Sequence, residues 1–132
     1  MAVTLEATAT KAACDAIVDL LDGGTGDPSG DLSWETAADV VLANTTLQAP
    51  AFGAATSAAP SVATLLGTTL TSAAASGAGT CTKAKFRDKA NIVQFTCSVG
   101  TSGADINLSN NVIVVGEFIA LTAFTFTMPA SS

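Results

Sequence analysis

The apolar positions of this chain change period along its length, and the change divides it into a helical start and a β-rich remainder. Over residues 8–22, TATKAACDAIVDLLD, the residues Ala9, Ala13, Ile17, Leu20 and Leu21 recur at helical spacing, with Asp15, Asp19 and Asp22 mostly off that stripe. The pattern predicts an amphipathic helix over 8–22. Thr8 or Thr10 can cap its start, and Gly23-Gly24 can end it, because glycine accepts the left-handed conformation past a last turn. Lys11 and Asp15 stand one turn apart and can pair. The acids near the helix C-terminus oppose its dipole, which suggests that they face a partner.

After a GGTGDPSGD loop at 23–31, the helical period is lost. Extended pieces are expected around Leu32–Glu35 and Val40–Leu47, the latter as an edge strand, then around Val62–Leu66 and Thr68–Ala73. Between them, residues 49–60, APAFGAATSAAP, are Ala/Pro-rich and irregular, and suit an extended arm. The segments TCTKAKF and IVQFTCSV flank RDKAN and read as a hairpin. Its register is open between two pairings. One sets Cys81 opposite Cys97. The other pairs Phe86 with Val93, Ala84 with Phe95 and Thr82 with Cys97, and gathers the apolar residues on one face and the lysines and Arg87 on the other. A slip of one residue inverts a strand's faces, so burial favours the second register, in which a Cys81–Cys97 disulfide needs a bulge. Short strands INLS and VIVV follow, then a break at Gly116-Glu117. The run FIALTAFTFTM is apolar on both faces, and is expected to be one long strand, central or covered on both sides. The sum is a mainly β fold: a β-sandwich of about seven to eight short antiparallel strands with one N-terminal amphipathic helix, as a single domain over 1–132.

Composition narrows the chemistry. The chain has no His and no Tyr, and only 12% charged residues, about half the usual share. Without histidine there is no Ser–His–Asp triad, no Cys–His dyad and no His-based metal site. Cys14, Cys81 and Cys97 form no CxxC pair, the loop Gly24–Asp31 lacks the ligand spacing of a calcium loop, and no phosphate-loop pattern occurs. No enzyme, cofactor or metal is therefore expected. So little charge suits a subunit that gives surface to neighbours, as a dimer, a trimer or a lattice-bound copy.

The charges that are present are segregated. Residues 1–39 hold Glu6, Asp15, Asp19, Asp22, Asp27, Asp31, Glu35 and Asp39 against Lys11 alone, while Lys83, Lys85, Arg87 and Lys89 cluster within seven residues. The cluster reads either as a solvated hairpin tip or as a basic contact for the acidic surface of a neighbouring subunit. Trp34 and Phe52 join it as candidate intersubunit contacts, Trp34 also reading as a core anchor. The net charge of −6 argues against nucleic-acid binding. MAVTLEATATK has neither the basic nor the apolar region of a secretory signal, and no run suits a membrane span, so cytoplasmic synthesis is expected.

The helix ATKAACDAIVDLLDGG, the middle APAFGAA, the strand end KFRD, and VGTSGADINLSNNVIVVGE followed by a Thr/Phe strand ending in TMP resemble a family of small virion structural proteins of tailed bacteriophages. The resemblance implies a non-enzymatic role in the virion. The first expectation is a capsid decoration (cement) protein on the outer surface of the major capsid protein lattice. The alternatives are a tail or head–tail connector component, for which Arg87–Asn91 offers an exposed arm, and a fibre-type binding module.

Overall fold

A computed structural model describes residues 6–58, 60–67 and 69–128. The helix α1 spans Ala7–Asp19 and tightens into a single 3-10 turn at Leu20–Asp22. Its buried stripe is Thr10, Cys14, Val18 and Leu21, rotated by one position from the expected Ala9–Ala13–Ile17 line. Thr10 can be buried because its hydroxyl donates to Ala58 O at 2.7 Å. It is thus not the N-cap, which is Glu6 without a side-chain bond. The glycine stop is as expected: Gly23 N–H bonds to Leu20 O, and Gly24 has φ +86°. The Lys11–Asp15 pair forms at 2.6 Å.

Eleven short strands follow among the described residues: β1 (Asp31–Glu35), β2 (Val41–Thr46), β3 (Ser61–Thr64), β4 (Leu70–Thr71), β5 (Gly79–Thr80), β6 (Lys83–Arg87), β7 (Val93–Gly100), β8 (Ile106–Asn107), β9 (Val112–Ile113), β10 (Ala120–Leu121) and β11 (Thr125–Met128). The largest sheet has the order β2-β1-β6-β7-β8, and three two-stranded pairs complete the β structure: β10-β4, β11-β3 and β5-β9. The fold is mainly β with one N-terminal helix. Not every pairing is antiparallel as expected, since β8 joins β7 in parallel.

The hairpin β6/β7 separates its faces as burial demands, but in a third register. Ala84 pairs with Cys97 and Phe86 with Phe95, and a bulge after Phe86 sets Arg87 opposite Val93. The slip from the expected pairing is two residues, so the faces are kept while the partners change. The longer tip absorbs the difference. Asp88 accepts the N–H groups of Ala90 and Ile92, and Asn91 takes φ 62°. The tip is no free arm, because Lys89 N–H bonds to Gly23 O and Asp27 N–H to Lys89 O.

The run 118–128 is not one long strand. It breaks at Thr122-Ala123 into β10 on β4 and β11 on β3. The inward parity flips at the break: Ile119 and Leu121 are buried before it, and Phe124 after it. A run apolar on both faces thus uses one face in each half, and Phe118 is left 64% exposed.

The core joins helix and strands around an aromatic cluster. Phe86 lies 4.6 Å from Phe95 and 5.0 Å from Phe124 between ring centroids, with Phe52 at 6.2 Å. The Ala/Pro-rich stretch is irregular, as expected, but it is packed. Ala51, Phe52 and Ala55 are buried, and Gly53 and Thr56 bond to Thr64 O and Val62 O. The helix acids complete it: Asp15 accepts Ala55 N–H at 2.7 Å, and Asp22 accepts Ala51 N–H at 2.9 Å. The partner that Asp15 and Asp22 face is therefore the chain itself, whereas Asp19 is exposed.

Candidate functional site

The sequence set Lys83, Lys85, Arg87, Lys89, Trp34 and Phe52 together as candidate contacts, and the structure separates them. Trp34 and Phe52 are core residues, 0% and 3% exposed, and leave no surface for a neighbour. Trp34 lies on the inward face of β1, where its indole N–H donates to Thr45 Oγ1 across to β2 at 2.8 Å. Phe52 packs edge-on to Phe124 at 6.0 Å.

The basic residues stand on the opposite, polar face of the five-stranded sheet, because β6 alternates strictly: Ala84 and Phe86 inward, Lys83, Lys85 and Arg87 outward. Strand β1 lies beside β6 with Asp31 opposite Arg87, Ser33 opposite Lys85 and Glu35 opposite Lys83. Arg87 grips Asp31 with a two-pronged pair, Nε–Oδ1 2.6 Å and Nη2–Oδ2 2.5 Å. Lys85 bonds to Glu35 at 2.9 Å and to Asp39 at 3.1 Å, and Lys83 to Asp39 at 2.5 Å. Ser33 Oγ donates to the other oxygen of Glu35 at 2.8 Å. Each proton equilibrium follows its partner. Asp31 raises the Arg87 pKa, Glu35 and then Asp39 raise that of Lys85, and Lys83 and then Lys85 lower that of Asp39. The cluster is neither a solvated tip nor an unmet contact: its counter-ions come from β1 and the β1–β2 turn of its own chain. Lys89, at the tip, has no carboxylate within salt-bridge distance among the described residues.

With four of five cations paired at home, the net −6 rests on Glu6, Asp19, Asp22, Asp27, Asp88, Asp105 and Glu117, against Lys89 alone. The three thiols are buried and free. Desolvation pushes Cys81 up to about 11 and Cys97 up to about 12, the reverse of an activated nucleophile. Among the described residues no group of three or more Cys, Asp or Glu is placed to hold a metal, and no helix is long and apolar enough to cross a membrane.

The exposed apolar residues are what the sequence reading missed. Segments 40–42, 75–80 and 112–117 are neighbours through hydrogen bonds: Ser76 N–H to Leu42 O, Gly116 N–H to Ala75 O, Ala75 N–H to Glu117 O, and the β5–β9 pair. This brings Val40, Val41, Val112, Val114, Val115 and Phe118 to one end of the molecule, all at least 40% exposed and Val115 at 66%. The acids there are engaged, Asp39 by the two lysines and Glu117 by Val114 N–H. Beside Phe118 lies an open hollow of about 400 Å³ walled by Asn107, Ser109, Asn110, Glu117 and Thr122. VIVV with a Gly-Glu break was the available signal. Its four successive apolar residues fit a strand covered on both sides, yet only Ile113 is buried.

Comparison with protein-family models, curated proteins and solved structures finds no match to this chain.

Proposed function

We propose that this chain is a non-enzymatic virion structural protein, made in the host cytoplasm, and that it serves as a capsid decoration subunit on the outer surface of the major capsid protein lattice. The apolar end carries the reading. Six large exposed hydrophobic side chains, with Glu117 held among them by Val114 N–H, form a surface that a monomer has reason to cover. Covering each half-exposed side chain is worth about 1 kcal/mol. The sum is largely offset by the cost of association, so one such contact is weak alone. A copy that also touches its own kind, as a dimer or trimer, or that bridges capsomers, gains effective concentration and holds. The internal pairing of four of the five cations leaves apolar cover to supply most of the affinity at this end. The likeness to small phage virion proteins points the same way, and a sandwich of the large sheet against the smaller strand pairs is the arrangement we propose for it.

The test is a cryo-electron-microscopy map of the purified particle, with wild-type protein and with Val115→Asp/Phe118→Asp. Density on the outer lattice that is lost in the variant is expected. Density only in the tail or at the portal vertex refutes decoration in favour of a tail or connector role, and undiminished density in the variant refutes the apolar end as the contact. One observation favours the fibre-type binding reading instead: an exposed Phe118 ring at the mouth of a hollow rimmed by Asn110, Ser109 and Glu117 suits a saccharide. Saturation-transfer NMR against host surface glycans decides it, and no transfer excludes it.

A further inference from the structure

Two strand edges face one groove. The β6–β7 ladder fixes which backbone groups of β7 are used: Val99 N–H bonds to Thr82 O, so in the antiparallel alternation Phe95, Cys97 and Val99 point to β6 and Thr96 and Ser98 point away, while the bulge after Phe86 turns Gln94 toward β6 as well. Asp105 closes the end of that outer edge by accepting Ser98 N–H at 3.0 Å, and β8 covers it beyond Val99. Thr96 keeps an open edge among the described residues. The same argument holds for β11. Leu65 N–H bonds to Phe124 O, so Phe126 points to β3 and Thr125 and Thr127 point outward. Between them lies a groove of about 310 Å³, lined by Phe95, Thr96, Phe124, Thr125, Phe126 and Thr127, with Cys97 and Asp105 at its walls. The Phe95 and Phe126 rings, 5.0 Å apart, join the two strands, and both are only half-buried.

We propose that this groove receives an extended segment of a different protein, which adds as a β-strand to the open edges of β7 and β11. The proposal deepens the assembly reading and rests on it for the setting, the donor being a neighbour in the assembly. The chemistry of the donor follows from the walls. Outward N–H and C=O groups on each side ask for a strand that bonds along both its edges, and the half-buried rings take apolar side chains at alternate positions. Three residues of β7 on one wall and the four of Phe124–Thr127 on the other give room for about three to four residues, roughly 10–13 Å of strand. Charge selects against a second copy. Asp105 is the charged group of the lining, the chain carries −6, and its cations other than Lys89 are already paired. A neutral or basic arm, with a Lys or Arg to meet Asp105, fits where another copy of this acidic chain does not.

Amide hydrogen exchange and ¹⁵N NMR on the full chain test this. In the isolated protein the amides of Thr96, Thr125 and Thr127 are expected to exchange fast. Protection that is independent of concentration means that the chain's own terminal residues fill the groove, and protection that rises with concentration means that a second copy does; either overturns the proposal. The probe is the peptide acetyl-Lys-Thr-Val-Thr-Val-Lys-amide, compared with its Glu-flanked version and with one N-methylated at alternate residues. The Lys-flanked peptide is expected to slow those three amides at least fivefold at millimolar concentration. The Glu-flanked peptide is expected to bind several-fold more weakly at low salt, and the N-methylated one not to bind. No change at the three amides, or equal effects of the N-methylated peptide, refutes strand addition. Neither result depends on where the protein sits in a particle, so failure here is distinguishable from failure of the decoration role.

Discussion

Thr45→Val is the sharpest probe of how the sheet edge is held. Trp34 and Thr45 are 0% and 1% exposed, and the indole N–H has Thr45 Oγ1 at 2.8 Å as its partner. Valine keeps the volume of threonine but leaves a buried N–H with nothing to donate to. An orphaned buried donor costs about 1–3 kcal/mol, whereas the bond itself nets only about 1. The methyl that replaces the hydroxyl returns part of the loss, so the expected destabilisation is about 2 kcal/mol. For a chain of this length that is a fall in Tm of roughly 6–10 °C. Trp34 is the one tryptophan, so its emission follows urea unfolding of the variant directly. The double-mutant cycle isolates the bond. In a Trp34→Phe background no N–H remains, and Thr45→Val is then expected to cost less than about 0.5 kcal/mol, measured by circular dichroism because the fluorophore is gone. A Thr45→Val cost below about 0.5 kcal/mol in the wild-type background, or equal costs in both backgrounds, refutes the claim that this bond ties β2 to β1.

Two further outcomes follow from the charged face and the buried thiols. Lys85→Met leaves Glu35, only 5% exposed, without its ammonium, and should lower Tm by about 5 °C at pH 7, with Glu35→Gln in the same chain restoring most of it; a drop that Gln does not repair means that lost packing is the cause. Burial raises Cys81 to about 11 and Cys97 to about 12 from an unfolded value of 9.0, so the folded chain keeps protons that the unfolded chain gives up. Stability should therefore be intact below pH 9 and fall above it by about 1.4 kcal/mol per pH unit for each thiol, and urea midpoints of Cys97→Ala should show about half that slope.

The helix, its glycine stop, the hairpin and most strand positions are legible in the sequence because each is set by local period and turn chemistry. The hairpin faces are legible for the same reason, since burial of Ala84, Phe86 and Cys97 decides them. Its partners are not, because a bulge and a five-residue tip closed by Asp88 cannot be read from hydrophobic alternation. The helix stripe is read one position out for a related reason: Thr10 is polar by composition, and only the carbonyl of Ala58, 48 residues away, makes it a core residue. The basic cluster was visible as a cluster, but its meaning depended on which strand lies beside β6. That strand is β1, so the acids that seemed to await another subunit and the cations that seemed to seek one answer each other. The apolar end was legible only through VIVV, because it is assembled from three separate stretches.

The placement of β1 also constrains the order of events when the chain is made. It is an inner strand, and its outer-face partners Lys83, Lys85 and Arg87 lie about fifty residues downstream. Until those residues leave the ribosome, the emerging chain carries eight carboxylates against Lys11, and β1 can pair only with β2. Self-repulsion and the lack of a second neighbour keep that nascent portion open. The β6 strand then arrives as both neighbour and counter-ion, and a chain cut before residue 83 lacks both.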